Sequence, residues 1–334
     1  MADSNALSSR YSAAVHGLAI ALTIAVFPLI WVGGLVTTYD AGMAVPDWPG
    51  TYGWNMFAYP ASTWLFGPFD LLVEHSHRLL GTVAGFLSIG LVVASFWSEE
   101  RKWFRLWSIF VLVSVIAQGA LGGVRVLLDQ RTFAMIHGCT GPLFFAMATA
   151  TAVMSSRWWR KSPKTDAAIE SSRANKLIAL TASVLVFSSY CQLIAGAQLR
   201  HATALLSTKM FTAFVHIHLT LAGIVLLASL LLAVACGLFE SPKLVRRTAW
   251  LLGLVVVVQI TLGIGTWIVN YALPWAELTE FLAKYTINAK GYWESLIVTA
   301  HMATGSLILS LATVAALRAW RSRRLVGSNG SATA

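Results

Sequence analysis

Eight uninterrupted apolar stretches limit what this 334-residue chain can fold into. A helix of about 20 apolar residues crosses the hydrocarbon core of a bilayer and satisfies its own backbone hydrogen bonds there. The sequence therefore predicts an all-α membrane protein with eight transmembrane helices. The predicted spans are residues 15–37, 75–97, 105–127, 134–156, 177–198, 212–238, 248–270 and 293–317.

Composition excludes the other broad classes of protein. Hydrophobic residues make up 57% of the chain and charged residues only 11%, whereas roughly 25% of residues are charged in a soluble domain. The net charge of +10 lies in short loops between the apolar stretches. We therefore expect a lipid bilayer around the chain and no nucleic-acid partner. Cys139, Cys191 and Cys236 lie inside apolar stretches and predict neither a disulfide framework nor c-type haem attachment.

Lysine and arginine are concentrated on one side of the predicted spans. The segments on the side of the N-terminus hold 17 of the 24 basic residues. The opposite side includes the loop 38–73, which has no lysine or arginine but carries Asp40, Asp47 and Asp70. Because cytoplasmic loops carry an excess of basic residues, we expect a multi-pass protein of the plasma membrane with both termini in the cytoplasm.

The chain repeats itself once, on either side of a polar inner loop. Three motifs recur in the same order: H-x-H at 75–77 and 216–218, Q-x-x-L-G at 118–122 and 259–263, and H-x-x-T-G-x-L at 137–143 and 301–307. With four spans in each copy, the two copies share one orientation. The repeat predicts two four-helix bundles related by a pseudo-two-fold axis, formed by residues 1–165 and 166–334.

Four histidines lie at similar depth in the outer part of the predicted spans: His77, His137, His218 and His301. Polar residues inside a membrane are costly and mark candidate functional sites. Two imidazoles that face each other across a four-helix bundle are a known ligand geometry for a haem iron. Each half is therefore expected to hold one pair, with nearby glycines giving a flat macrocycle room. The alternative for a single histidine is a hydrogen-bonded packing residue.

Glu74 is the carboxylate that most affects the functional interpretation. It precedes His77 by three residues and so shares its helix face, and Arg78 follows. The equivalent residue of the second half, three before His218, is Val215. This asymmetry predicts that one half reacts and that the other holds a cofactor or relays electrons. The alternative is an ion pair at the protein surface.

The outer loop 38–73 is long and rich in aromatic residues and proline. It is interpreted either as an interfacial aromatic belt or as a cap over a site that opens toward the outer side. Basic residues near that side are candidates to pair with haem propionates. They are Arg78, Arg125, Arg131, Arg200 and Lys209.

Several of these segments together resemble the haem A synthases of bacteria and mitochondria, over nearly the whole chain. The resemblance is carried by the four histidines and four segments: GGLVTT at 33–38, GMAVPDWP at 42–49, EHSHRLLG at 74–81 and QGALGG at 118–123. It implies oxidation of the C8 methyl of haem O to a formyl group, which gives the haem A of cytochrome oxidase.

The resemblance also implies a division of labour between the halves. His218 and His301 would ligate the iron of a resident haem b. His77 and His137 would flank the iron of the substrate haem O, and we place Arg78 in that substrate site. Glu74 would be the catalytic carboxylate. Haem O synthase and an electron donor are the expected partners.

Two departures from the family and two other functions stay open at this point. The outer loop lacks the cysteine pair found in many members, and the loop between spans 5 and 6 lacks a second Pro-Asp-Trp-Pro sequence. A non-catalytic dihaem b-type electron carrier would also explain the histidine pairs. So would a haem-delivery protein for oxidase assembly. Glu74 and the long outer loop favour the enzyme.

Overall fold

The computed structural model describes residues 12–160, 173–202, 206–239, 241–271 and 291–327. Within them are eight helices long and apolar enough to cross a membrane, and no β-sheet. They are α1 (Ala13–Thr38), α2 (Phe69–Ser98), α3 (Lys102–Leu128), α4 (Arg131–Ser155), α5 (Arg173–Arg200), α6 (Thr208–Leu238), α7 (Lys243–Tyr271) and α8 (Tyr292–Gly327). The predicted all-α membrane fold with eight spans is confirmed.

The helices extend beyond the predicted spans at several ends. α2 begins at Phe69, six residues before the predicted start at 75. Hydropathy alone starts the span at residue 75 because Asp70 and Glu74 are polar. The helix continues through Glu74 and His75 because the outer loop covers both side chains, leaving them 4% and 1% exposed.

Each half of the chain forms a ring of four helices. In the first half α1 packs on α2, α2 on α3, α3 on α4 and α4 back on α1. In the second half α5, α6, α7 and α8 close a ring in the same order. This shared order is compatible with the predicted pseudo-two-fold relation.

The apolar cores of both rings lie toward the inner side, where the chain begins. In the first half the core joins the start of α1 to the end of α4, with residues such as Leu22, Phe104 and Phe144. The second half repeats this with residues such as Leu185, Leu252 and Ala312. The outer part of each ring, which carries the histidines, lies beyond these clusters.

The two halves meet along α8, which packs on α1 and α4. Thr38 and Thr299 share a hydrogen bond of 3.3 Å between their hydroxyls. Arg200 Nη2 donates to the Gly34 carbonyl and to the Thr38 hydroxyl, both at 2.7 Å. Small and polar side chains thus bring the helices of the two halves close together, as is common in membranes.

A buried ion-pair network holds the inner ends of α2, α3 and α4. Glu99 is fully buried and accepts hydrogen bonds from Arg101 and Arg160. Arg101 Nη1 also donates to the Met154 carbonyl at 3.0 Å. Burial raises the pKa of Glu99, but the hydrogen bonds from Arg101 and the charge of Arg160 outweigh it. The pKa of Glu99 therefore lies below its ordinary value of 4.5.

We expect Glu99→Gln to lower the free energy of unfolding by about 3 kcal/mol, because it removes one member of a buried ion-pair network. Glu100→Gln, at the exposed neighbouring residue, is the matched control and should change it by less than about 0.5 kcal/mol. Unfolding in mixed detergent micelles measures both. Since the folded pKa of Glu99 is depressed, its contribution should be present at neutral pH and disappear as the pH falls below 4.5. Equal stability of the two variants would contradict this role.

Candidate functional site

The four predicted histidines come together as two facing pairs. The ring centres of His77 and His137 are 6.2 Å apart, with an interplanar angle of 87°. The ring centres of His218 and His301 are 6.3 Å apart, with an angle of 65°. Each pair joins two helices of one ring, α2 with α4 and α6 with α8, so each half holds one pair.

Three of the four imidazoles are oriented by a backbone carbonyl of a neighbouring helix. His77 Nδ1 lies 3.2 Å from the Leu29 carbonyl, and His137 Nδ1 lies 3.1 Å from that of Gln118. His301 Nδ1 lies 3.2 Å from the Gln259 carbonyl. A carbonyl only accepts, so each Nδ1 carries the proton and each Nε2 keeps its lone pair. Metal-binding histidines are held in this way.

A glycine lies against each imidazole. A Cβ added to Gly33, Gly122, Gly196 or Gly263 would lie between 2.6 and 3.2 Å from the Cε1 atom of the adjacent histidine. That is closer than carbon atoms normally approach. Because these four glycines have no side chain, α1, α3, α5 and α7 can approach the helices that carry the histidines.

The spacing of each pair fits one metal ion between the two rings. Bonds from histidine nitrogen to a metal such as zinc are about 2.0–2.1 Å long, and each ring centre lies about 1 Å behind its nitrogen. A metal between two Nε2 atoms would thus separate the ring centres by about 6 Å. Over the described residues there is no group of three or more His, Cys, Asp or Glu side chains suited to a metal. The arrangement suits an iron whose other ligands come from a macrocycle.

Open space lies beside the histidine-bearing helices. A Cβ added to Gly81, Gly85 or Gly223 would meet nothing within 4 Å. They are among the glycines near the histidines, where the sequence predicts room for a macrocycle. Gly123 and Gly141 lie in the same region but pack against the Trp48 indole and the Gln118 amide.

The glutamine of the repeated Q-x-x-L-G motif has different hydrogen bonds in the two halves. Gln118 Nε2 donates to the His137 carbonyl at 2.8 Å, and the Thr140 hydroxyl donates to Gln118 Oε1 at 2.7 Å. In the second half Gln259 Oε1 is buried without a hydrogen-bond partner among the described residues. Both amide atoms of Gln118 thus have hydrogen-bond partners, whereas Gln259 leaves a buried oxygen without one among the described residues.

Glu74 is buried at the start of α2, so the pair that it forms with Arg78 does not lie at the protein surface. Its side chain is 5% exposed and that of Arg78 is 9% exposed. Glu74 Oε2 accepts a hydrogen bond of 2.9 Å from the backbone amide of Val45. Its Oε1 accepts one of 2.8 Å from Arg78 Nη2. Both carboxylate oxygens are therefore fixed in place.

Arg78 fastens the outer loop to α2. Its Nη1 donates to the carbonyls of Asp47 and Gly50, both at 2.7 Å. Its Nη2 donates to the Val45 carbonyl at 2.8 Å. The guanidinium thus donates hydrogen bonds to three loop carbonyls and to the Glu74 carboxylate. These contacts favour a role for Arg78 in positioning the loop and Glu74.

The outer loop packs on α2 and α3 next to the first histidine pair. His75 is 1% exposed. Its Nδ1 shares a hydrogen bond of 3.2 Å with the Thr51 hydroxyl, and its ring centre lies 4.8 Å from that of Trp64. The Trp48 indole lies against Gly123, next to the glycine that contacts His137. These contacts favour the cap over the aromatic belt, although Phe66 at the loop end is 88% exposed.

The acidic residue of the Pro-Asp-Trp-Pro sequence shapes the loop itself. Asp47 accepts hydrogen bonds from the backbone amides of Tyr52 and Gly53, at 2.8 and 2.9 Å. Burial raises the pKa of Asp47, but these bonds and the charge of Arg78 outweigh it, so the pKa lies below the ordinary value. Asp47 therefore stays ionised and holds the tight turn that follows Pro49.

A cationic cluster lies at the outer end, where the two halves meet. Burial, together with the charges of Arg200, Arg125 and Arg131, lowers the pKa of His201 to about 4. These arginines are three of the five basic residues that we expect near haem propionates. The pairing of these basic residues with haem propionates stays a prediction. The assignment of the candidate site residues to haem sites also stays a prediction.

Sequence reasoning missed three residues that contact the histidine pairs. They are Gly33, Gly196 and Gln192. Gly33 entered only through the family resemblance. Aligning the sequence of α1 with that of α5 would have pointed to the two glycines, since each of these helices places one glycine against a histidine of the next helix.

Two comparisons with known proteins bear on this chain. The cytochrome oxidase assembly protein family matches residues 16–289. A curated protein named heme A synthase, from Lysinibacillus sphaericus (strain C3-41), is 26% identical over 189 residues, which are 55% of this chain and 57% of that protein. The chain therefore matches little more than half the length of this relative. Because the family match covers most of its length, the chain belongs to the cytochrome oxidase assembly protein family.

Proposed function

We propose that this protein is a haem A synthase, a membrane-bound oxidoreductase that oxidises the C8 methyl of haem O to a formyl group. The observation that carries the proposal is the pair of facing imidazoles in each half, at a separation that suits one iron. The family match supports a role in cytochrome oxidase assembly. The relative named heme A synthase supports the haem-modifying activity.

The two pairs are proposed to hold different haems. His218 and His301 would hold a resident haem b, and His77 and His137 would flank the iron of haem O. The asymmetry of the halves supports this, because Glu74 precedes His77 by three residues whereas Val215 takes that place before His218, and because the outer loop 38–73 is hydrogen-bonded to Glu74 and Arg78. At the place of His75 the second half has His216, which is exposed and bonds Thr212 of its own helix.

The chain and the haem would divide the work. A bound haem supplies the redox chemistry of its iron, and the protein supplies position, shielding and proton transfer. Glu74 is the proposed acid or base, because it is a buried carboxylate on the helix face of His77 and both its oxygens are fixed. Arg78 stays in the proposed substrate site as the residue that positions the loop and Glu74.

The test of the function is to extract and separate the haems of the purified protein, expressed together with a source of haem O. We expect haem b together with haem A or a hydroxylated haem O. Haem b alone, with haem O supplied and never altered, would support the non-catalytic electron carrier instead. Haem O bound and released unchanged would support the haem-delivery protein.

Glu74→Gln should keep both haems bound and lower haem A formation by at least about 100-fold, because it removes the proposed proton-transfer group. The same haem extraction measures this. Thr51→Val is the matched control, since it removes a loop hydrogen bond to His75 and leaves Glu74 intact. Haem A formation at the normal rate in Glu74→Gln would exclude a catalytic Glu74. Equal loss in both variants would assign the effect to the loop position.

The cellular setting is also a proposal. The charge distribution favours the plasma membrane with both termini in the cytoplasm. Haem O synthase and an electron donor would be the partners. Alkaline phosphatase is active only outside the cytoplasm, so a fusion of it to the C-terminus should be inactive. An active fusion would show that the C-terminus lies outside the cytoplasm and would contradict the proposed orientation.

A further inference from the structure

The five basic residues expected near haem propionates differ in what their charged groups contact. Arg78 donates hydrogen bonds to three loop carbonyls and a carboxylate, and Arg200 donates to a carbonyl and a hydroxyl of α1. Arg131 and Lys209 are exposed. Arg125 is partly buried, and it forms no hydrogen bond or ion pair within the part of the chain that the structure describes. Its guanidinium is therefore the one of this set that is both enclosed and uncommitted.

The Arg125 guanidinium lies between α3 and the outer loop, one helical turn outward from the first histidine pair. A Cβ added to Gly42 of the loop would overlap the guanidinium, so this group occupies the place of the missing side chain. Arg125 follows Gly122 by three residues, which is a rise of about 4.5 Å along the helix. Gly122 itself packs on the His137 ring. The guanidinium is therefore held at the outer end of the first site.

The charge of Arg125 reaches the first histidine pair and has no anionic partner in contact with it. It acts electrostatically on both His77 and His137. Three carboxylates act on Arg125 from beyond ion-pair distance: Glu74, Asp129 and Asp40. The first of them already pairs with Arg78, and the other two are exposed. Since an enclosed charge without a partner is costly, the site favours an anion beside Arg125.

A haem propionate is an anion of suitable shape for this position. A guanidinium binds a carboxylate through two parallel, charge-assisted hydrogen bonds. Haem O carries two propionates, and one of them is attached to the same pyrrole as the C8 methyl. Aligning the two Q-x-x-L-G motifs places Thr266 of the second half opposite Arg125. The second half therefore has no cation at the equivalent position.

We propose that Arg125 binds a propionate of haem O at the first histidine pair and so selects haems whose propionates are free acids. The inference rests on the proposed function, which places haem O at this pair. The contact holds the propionate edge of the macrocycle toward the outer loop, at the end of the site where Glu74 lies. Because the C8 methyl neighbours that edge, the same contact brings the methyl to the side of the proposed proton-transfer group.

The experiment compares the affinities of haem O and of its dimethyl ester, in which both propionates are methylated, for the purified protein that carries its haem b. Haem absorbance follows each titration. The wild type should bind haem O at least about 10-fold more tightly than the ester, because the ester loses a charge-assisted contact. Arg125→Gln and Arg125→Met remove the charge and should bind both compounds equally, with the weaker affinity. Lys102→Gln removes an exposed charge from the inner end of the same helix and, as the matched control, should keep the full preference.

Two results would overturn the proposal. One is equal affinity of the wild type for haem O and its ester, a comparison that needs no variant. The other is a full preference for haem O in either Arg125 variant. His77→Ala separates these results from the function itself. If that variant binds haem O with the affinity of the wild type, haem O is not at this pair and the proposed assignment of the site fails. A preference that survives in the Arg125 variants leaves that assignment standing.

Discussion

The outer half of this protein depends on a hydrogen bond from a histidine Nδ1 to a backbone carbonyl on the neighbouring helix. The bond fixes the tautomer and the direction of the ring, and it leaves Nε2 with a free lone pair that can bind a metal. It forms only where two helices approach closely, which the glycine beside each ring allows. The inner apolar cores hold those helices at that distance.

The segment 74–78 shows how one stretch of helix serves two tasks. Glu74, His75 and Arg78 contact the outer loop and fasten it through Val45, Thr51 and three carbonyls. His77 faces the interior and its partner on α4. Because successive helical residues are about 100° apart, His75 and His77 point in different directions, and Glu74 lies between the directions of His77 and Arg78. The carboxylate and the cap over the first histidine pair are thereby built from the same turn.

Much of the fold and part of the candidate site could be predicted from the sequence. Span length and hydropathy predicted the eight helices, and the H-x-x-T-G-x-L repeat pointed to His137 and His301 as equivalent positions. The start of α2 was predicted six residues late, because hydropathy does not register the loop that covers Glu74 and His75. The contacts of Arg78 with the loop carbonyls and of Gln192 with His218 could not be predicted, because the partners lie on other segments of the chain.

The sequence by itself determined the membrane fold, the two-fold repetition of its motifs and the depth of the four histidines, since these follow from apolar length and helical rise. Only the tertiary structure decided which atoms meet. It selected backbone carbonyls to orient three rings, loop carbonyls for Arg78 and an amide for the fourth ring. The physical reason is that these contacts join distant segments, and packing between helices rather than local pattern sets their distances.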